Sequence, residues 1–164
     1  MSRSSKHLIE TTAVVFTSEM RSPRLETAYR ETSFIAYTLQ HTIRIRVGEK
    51  NPVLDSLLSE SGIQRWAYIT ACNPGSVRLA ASENFARQHE LCREIQARGF
   101  TMFSGEGRSD FPEWPPEPSI LVLGIDREQA IEIGRQYGQN AIVYGEQGSS
   151  VELVWIGPRG FEKD

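Results

Sequence analysis

The stretch WAYITACNPGS at residues 66–76 decides the fold of this chain. Its first six residues, Trp66 to Ala71, form an apolar run with aromatic and β-branched side chains, which predicts a buried strand. The segment Asn73-Pro74-Gly75-Ser76 then ends that strand, because each of these residue types favours a turn. With this strand and its turn placed, the remaining elements can be assigned on either side.

A long helix is predicted shortly after this turn. Ser82 is a suitable N-cap, because its hydroxyl can accept a hydrogen bond from a free backbone N–H of the first turn. Gly99 marks the end of the helix, since glycine readily adopts the left-handed conformation that follows a helix C-terminus. The apolar side chains expected on the buried face are Phe85, Cys92 and Ile95.

Downstream, the pattern predicts four strands and one more helix. The strands lie at residues 100–104, 120–123, 141–144 and 151–156, the last two forming a hairpin around Gly148. Asp126 is predicted to cap the helix that precedes the hairpin. From Trp66 the order is strand, helix, strand, strand, helix, strand. We therefore predict an α+β fold with a ferredoxin-like split βαβ core, an antiparallel sheet with helices on one face.

Upstream of Trp66 the sequence predicts additions to this core. Residues 34–47 alternate between apolar and polar side chains, which predicts one long, half-buried strand. Pro52 opens a short helix that stops at Gly62. Residues 1–24 are rich in Ser, Thr and Arg and predict an extension that is partly disordered or adds an edge strand. Residues 25–164 are expected to form a single α/β domain, with the added strand-helix and the last strand extending or covering the core sheet.

Composition limits the classes of function. A length of 164 residues suits one domain with its own core. The net charge of -3 argues against a surface that neutralises many phosphates, so nucleic acid is not an expected partner. No apolar run approaches the roughly 18 to 20 residues of a membrane span, and no signal-peptide core is present. We expect a soluble cytoplasmic protein whose two cysteines stay reduced.

Polar residues from distant parts of the sequence are predicted to meet at one edge of the sheet. Loops at strand ends carry function on a rigid scaffold, and a helix N-terminus there would offer N–H groups to an anion. A purely structural interpretation competes with this, in which Asn73 and Ser76 form a turn and Asn84 satisfies backbone donors. The predicted ligand-binding residues are Asn73, Ser76, Asn84, Trp114, Glu117, Ser119 and Gln139.

Several short motifs in this sequence carry a resemblance to a known family. They are Trp66 to Ala71, Asn73-Pro74, Ser76, Asn84, Gly107, Trp114, Glu117-Pro118-Ser119, Gly124 and Gln139 to Val143. On these residues the chain resembles a bacterial family of proteins known as domain-of-unknown-function family 3293. The resemblance covers roughly residues 28–145 and implies a shared edge site, without an established activity to transfer. Family members vary at the position of Cys72, which argues against an essential role for that thiol.

Reactive chemistry has few candidates in this sequence. Glu117 and Glu106 are the candidate catalytic residues, because a carboxyl group can act as general acid or base and neighbouring Gly and Pro restrain their backbone. Cys72 is interpreted as a small buried hydrophobe, since His89 is not certain to reach it. Trp114 is equally consistent with a lid and with a plug over the core edge. No spacing predicts a metal site, and no motif identifies a cofactor.

Three functions remain open at this point. The leading hypothesis is a module that binds a small polar or anionic ligand at the edge of the sheet. The alternatives are a hydrolase or transferase that uses a glutamate as acid or base at the same edge, and an interaction module whose edge strand pairs with a partner or with a second copy in a homo-oligomer.

Overall fold

The structure is a computed structural model that describes residues 23–111 and 114–157. Its helices are α1 (Pro23–Arg30), α2 (Pro52–Ser61), α3 (Ala81–Ala97) and α4 (Arg127–Gln136), with a short 3-10 turn at Pro74–Ser76. Its strands are β1 (Thr32–Tyr37), β2 (Thr42–Ile45), β3 (Arg65–Ile69), β4 (Thr101–Ser109), β5 (Glu117–Leu123), β6 (Ala141–Glu146) and β7 (Glu152–Trp155). The described residues form an α+β structure, as predicted.

All seven of these strands belong to one sheet in the order β2-β1-β4-β5-β3-β6-β7. Every neighbouring pair is antiparallel. The central strands β5 and β6 carry runs of consecutive buried residues, because the sheet is covered on both faces. The part of the chain that the structure describes contains no helix long and apolar enough to cross a membrane.

Each face of the sheet has its own apolar cluster. On the first face, Leu91 and Ile95 of α3 and Ile133 of α4 pack against β3, β5 and β6. On the second face, Leu54 and Leu58 of α2 pack with residues of β1 to β6. The sequence left the placement of the added N-terminal elements open; α2 covers the second face, so helices lie on both sides of the sheet.

The single strand predicted for residues 34–47 is wrong, because the chain reverses within it. β1 and β2 pair as a hairpin, with Phe34 opposite Ile45 and Tyr37 opposite Thr42. The turn is closed by the Thr38 backbone N–H, which donates to the His41 carbonyl oxygen at 2.9 Å. This turn contains no glycine, proline or asparagine, and the alternation of apolar and polar residues continues across it. The sequence pattern therefore gives no sign that the chain reverses here.

The start of α3 also differs from the prediction. Its N-cap is Ala80, which makes no side-chain capping bond, and Ser82 lies inside the helix. The buried face consists of Gln88, Leu91 and Ile95, whereas Phe85 is exposed. A polar side chain is buried in this stripe because the Gln88 Oε1 atom accepts the Ala71 backbone N–H at 2.9 Å.

Other local signals are confirmed. Asn51 caps α2 in front of Pro52, and Gly62 ends it in the left-handed conformation with φ of 67°. Asp126 and Gln129 form a reciprocal capping box at the start of α4. β6 and β7 form the predicted hairpin around Gly148.

The strands predicted at residues 100–104 and 120–123 both extend into the segment between them. β4 continues to Ser109 and β5 begins at Glu117, paired through Gly107 opposite Glu117. Gly105 is needed here because a Cβ atom would overlap the Ile35 carbonyl oxygen and lie 2.8 Å from the Tyr68 hydroxyl. Of the predicted N-terminal extension, residues 1–22 lie outside the described residues and residues 23–24 begin α1.

Candidate functional site

The turn that follows β3 has an unusual backbone. Asn73 and Ser76 have φ values of 47° and 62°, and they are the two non-glycine residues with positive φ in the described part of the chain. Asparagine tolerates this conformation, but a residue in front of a proline normally prefers an extended one. Strained conformations persist only where the surroundings hold them, and they concentrate at functional sites.

A hydrogen-bond network holds this turn in place. The Asn73 backbone N–H donates to Oδ1 of Asn84 at 2.9 Å, and Nδ2 of Asn84 donates back to Oδ1 of Asn73 at 2.8 Å. The same Oδ1 atom of Asn73 accepts the Leu79 backbone N–H at 3.0 Å. Nδ2 of Asn73 then donates to Oε2 of Glu117 at 2.8 Å. Asn73 therefore connects the first turn of α3 to a carboxylate at the start of β5.

This carboxylate lines a cavity of about 190 Å³ between the second face of the sheet and α1. The rim is formed by the turn after β3 and by the segment before β5. Its apolar lining includes Leu25, Ala28, Phe34, Trp114, Pro115, Ile142 and Val143. Its polar lining includes Tyr29, Thr32, Tyr68, Thr70, Asn73, Ser76, Ser109, Glu117, Ser119 and Gln139. An apolar cavity with a few convergent polar groups is the usual form of a small-molecule site.

Glu117 is the one charged side chain among the described residues that line the cavity. Burial raises the pKa of its carboxyl group, and hydrogen bonds from the side chains of Asn73 and Thr70 oppose that shift. Among the described residues, no Lys, Arg or His side chain forms an ion pair with it. The site thus holds a partly buried acid without a cationic partner among the described residues, and such a group is costly to keep ionised.

Two tyrosine hydroxyls flank the same space. Burial raises the pKa of Tyr29, the nearby charge of Glu117 raises it further, and a hydrogen bond with Ser76 lowers it. Burial likewise raises the pKa of Tyr68, whose hydroxyl donates to the Ile35 carbonyl oxygen at 2.6 Å. Both phenols therefore stay protonated and can act as neutral hydrogen-bonding groups towards a ligand.

Six of the seven predicted ligand-binding residues line this cavity. They are Asn73, Ser76, Trp114, Glu117, Ser119 and Gln139. Gln139 is also anchored from behind, because its Nε2 atom donates to the Cys72 carbonyl oxygen at 3.0 Å. The Trp114 ring is about half exposed at the rim, with the Arg78 guanidinium 5.9 Å from its centre.

Asn84 is the predicted site residue that does not reach the cavity. Its side chain is occupied by the two hydrogen bonds to Asn73, so it supports the turn from behind. No residue of the first turn of α3 lines the cavity. The free N–H groups of this helix therefore do not face the cavity, which removes the reason to expect an anion there.

Glu106, the other candidate acid, lies outside the cavity. Its Oε1 atom accepts the Tyr37 hydroxyl at 2.6 Å and an Arg108 nitrogen at 2.6 Å. These two hydrogen bonds lower the pKa of Glu106, with that from Tyr37 contributing most. Glu106 and Glu117 therefore do not face each other as an acid-base pair.

Cys72 is completely buried beside this network. Burial raises the pKa of its thiol, which disfavours the thiolate that a nucleophile needs. The His89 ring stacks against Phe85 at 6.2 Å between centres, with Phe85 exposed on the outer side of α3. Within the described ranges, no group of three or more His, Cys, Asp or Glu residues is placed to hold a metal ion.

The sequence interpretation missed the wall formed by α1. Leu25, Ala28 and Tyr29 line the cavity, and the Tyr29 ring packs edge-on against Trp155 of β7 at 5.6 Å. The spacing of these three residues at i, i+3 and i+4 is the signal of one helix face and could have revealed the helix. Tyr68 and Thr70 were treated as strand core, yet they face the cavity on the second side of the sheet.

Comparison with known proteins identifies one family. Residues 69–142 match the model of a family described as a protein of unknown function, DUF3293. No curated protein and no solved structure gives a significant match. The matched residues run from the end of β3 into β6 and include Asn73, Glu117 and Gln139. Over residues 69–142, the chain is therefore similar to the DUF3293 family.

Proposed function

We propose that this protein binds a small organic ligand in the cavity between α1 and the second face of the sheet. One observation carries the proposal: a partly buried carboxylate, Glu117, lies in the wall of a cavity with apolar and polar uncharged lining and is held by Asn73. Sites of this kind combine apolar walls for affinity with a few fixed polar groups for orientation. A carboxyl group with a raised pKa in a cleft is a recognised indicator of a functional site.

The scaffold in this proposal is a ferredoxin-like split βαβ unit inside a single domain from residue 25 onwards. The strand order β4-β5-β3-β6, with α3 and α4 as the two connections on one face, supports that assignment. β1, β2 and β7 extend the same sheet at both edges. The site would then lie on the face opposite these two helices, which is closed by α1 and α2.

Of the two ligand types expected from the sequence, the cavity favours a polar ligand over an anionic one. An anion would meet the Glu117 carboxylate without a compensating cation in the described lining. Hydroxyl and amide groups on Tyr29, Ser76 and Gln139 can instead hydrogen-bond to a neutral or positively charged group.

A thermal-shift screen of small polar compounds tests the proposal with a matched pair of variants. Gly107 lies in the cavity wall, and a Cβ atom there would have no atom closer than 3.8 Å, so Gly107→Val should fold and fill part of the space. Ser104→Val places the same side chain on the exposed, opposite face of β4. A ligand at 100 times its Kd stabilises a protein by about 2.7 kcal/mol. We expect compounds that stabilise the wild type and Ser104→Val but not Gly107→Val.

Two results would contradict ligand binding in this cavity. One is that no compound in a broad screen raises the Tm of the wild-type protein. The other is that every compound that does so raises the Tm of Gly107→Val by the same amount.

Catalysis by Glu117 is the second candidate function, favoured by the raised pKa of its carboxyl group and by its orientation through Asn73. A hydrolase or transferase could use such a group as a general acid or base. Turnover of any compound found in the screen, abolished in Glu117→Gln while binding remains, would favour an enzyme. Binding without product in the wild type would favour a binding module.

A further inference from the structure

We propose that the cavity recognises a small organic cation, an ammonium or amidinium group on a flat apolar body, with the Glu117 carboxylate as its counter-ion. This inference rests on the proposed ligand binding and specifies the class of ligand.

The charge of the lining has one sign. Glu117 supplies a carboxylate, and the described lining residues include no Lys, Arg or His. Two guanidinium groups that contact residues in or beside the cavity wall are engaged elsewhere. Arg87 donates to the Ala71 carbonyl oxygen at 2.7 Å and to the Tyr137 carbonyl oxygen at 2.6 Å. Arg78 lies over the Trp114 ring at the rim. A cation delivered by a ligand would therefore be the missing partner.

The Glu117 carboxylate is oriented but not neutralised. The side chains of Asn73 and Thr70 hydrogen-bond to it, whereas an ionised carboxylate has about four acceptor positions. An isolated buried charge is strongly unfavourable, and a hydrogen-bonded cation is the group that compensates it best. Because Asn73 is itself held by Asn84 and Leu79, the carboxylate is positioned before any ligand arrives.

The rest of the cavity suits a flat apolar body. The rings of Tyr29, Phe34, Tyr68 and Trp114 contribute to its walls. Aromatic faces attract cations, and they also pack well against another ring. The volume of about 190 Å³ exceeds the roughly 150 Å³ of an engineered apolar cavity that binds benzene. A single ring with a short amine-bearing arm therefore has the right size.

Three probes of similar shape and different charge test this inference on the full chain by isothermal titration calorimetry. Benzylamine is a cation at neutral pH, benzyl alcohol is neutral and benzoate is an anion. We expect benzylamine to bind the wild-type protein at least 10-fold more tightly than either of the other two. In Glu117→Gln the benzylamine affinity should fall at least 10-fold. The matched control Glu106→Gln removes a carboxylate outside the cavity and should change the affinity less than twofold.

Glu117→Gln keeps an acceptor for Asn73, so the variant should fold, and its melting curve checks this. Glu117→Asp provides a second variant that retains the charge on a shorter side chain. It should keep the preference for benzylamine over benzyl alcohol with lower affinity. If both variants lost affinity for all three probes by the same factor, Glu117 would not act as a counter-ion for the ligand.

Failure of the cation inference can be separated from failure of ligand binding. One outcome is that benzyl alcohol or benzoate binds as tightly as benzylamine. Another is that the screen finds only neutral or anionic ligands, which bind the wild type but not Gly107→Val. Either outcome would contradict recognition of a cation and leave the proposed ligand binding intact. If neither these probes nor the screen gives a ligand sensitive to Gly107→Val, both proposals are wrong.

Discussion

Glu106 and Glu117 lie on neighbouring strands, yet their environments are opposite. Gly107 of β4 is directly across from Glu117 of β5, and Glu106 is across from Pro118. Because successive side chains alternate between the faces of a sheet, this register turns Glu117 into the cavity and Glu106 to the other side. One carboxyl group is paired with Arg108 and has a lowered pKa. The other has no ion pair among the described residues and has a raised pKa.

The face of the sheet on which a glutamate lies therefore determines whether its carboxyl group is paired at the surface or lines the cavity. At the outer position, an exposed arginine and a tyrosine hydroxyl satisfy the carboxylate of Glu106 at little cost. At the inner position, the Glu117 carboxylate is desolvated, and its hydrogen-bond partners are the side chains of Asn73 and Thr70. The following changes test how sharply the two sides of the β4-β5 pair differ.

The largest expected effect is on the glycines of β4. Gly105→Ala should lower the free energy of unfolding by about 3 kcal/mol, because the new Cβ would overlap the Ile35 carbonyl oxygen. For a chain of this size that is a fall in Tm of roughly 6 to 12 °C. Gly107→Ala meets no close atom and should stay within about 0.5 kcal/mol of wild type. Equal losses in thermal melts would show that β4 is packed as tightly at Gly107 as at Gly105, two positions on the same face of the strand.

The next largest effect concerns the turn that orients Glu117. Asn73→Ala removes three side-chain hydrogen bonds and places alanine at φ of 47°, so we expect a loss of about 2 to 3 kcal/mol. Asn73→Gly loses the same bonds but tolerates the conformation, and should lose less. Asn84→Ala removes two hydrogen bonds to Asn73 and should lower the free energy of unfolding by about 1 to 2 kcal/mol. Denaturant unfolding measures the free energy of unfolding of the three variants. If Asn73→Ala were the least destabilised, the hydrogen-bond network around Asn73 would not hold the turn as described.

A smaller effect of opposite sign is expected at Glu117. Folding raises the pKa of the Glu117 carboxyl group, so the folded protein favours its protonated form. The contribution of this group to the free energy of unfolding is fully present below the unfolded-chain pKa of about 4.3, and it is lost as pH rises through the folded pKa. Glu117→Gln should therefore stabilise the protein near pH 7, by on the order of 1 kcal/mol or about 2 to 4 °C in Tm. The gain should vanish as pH falls towards 4. A variant less stable than wild type at pH 7 would contradict this.

The smallest effect is expected at Glu106, with the reverse pH dependence. Its pKa is lowered on folding, so its stabilisation is present at neutral pH and is lost as pH falls through the folded pKa. Glu106→Gln should lower the free energy of unfolding by no more than about 0.5 kcal/mol at pH 7, as is usual for surface ion pairs. Melting curves between pH 3 and 7 should show the two glutamine variants diverging with opposite signs. If the Tm of the two variants changed with pH in the same way, the opposite pKa shifts of Glu106 and Glu117 would be contradicted.

The sequence by itself determined the features that depend on neighbours along the chain. The turn at Asn73-Pro74-Gly75-Ser76, the ends of α2 at Pro52 and Gly62, and the Asp126 cap follow from backbone preferences and from hydrogen bonds across three or four residues. The same signals show which strand ends carry polar residues. For this reason six of the seven residues predicted from the sequence to bind a ligand lie around one cavity.

Only the tertiary structure decided which face each residue occupies and what lies opposite it. The hairpin at Thr38 to His41 has no glycine or proline to mark it, and β4 extends through Gly105 and Gly107 because of contacts with β1 and β5. The cavity depends on α1 packing over the second face, and Tyr29 meets Glu117 across 88 positions of sequence. Such pairings are set by strand register and by packing between distant segments, which local sequence patterns do not encode.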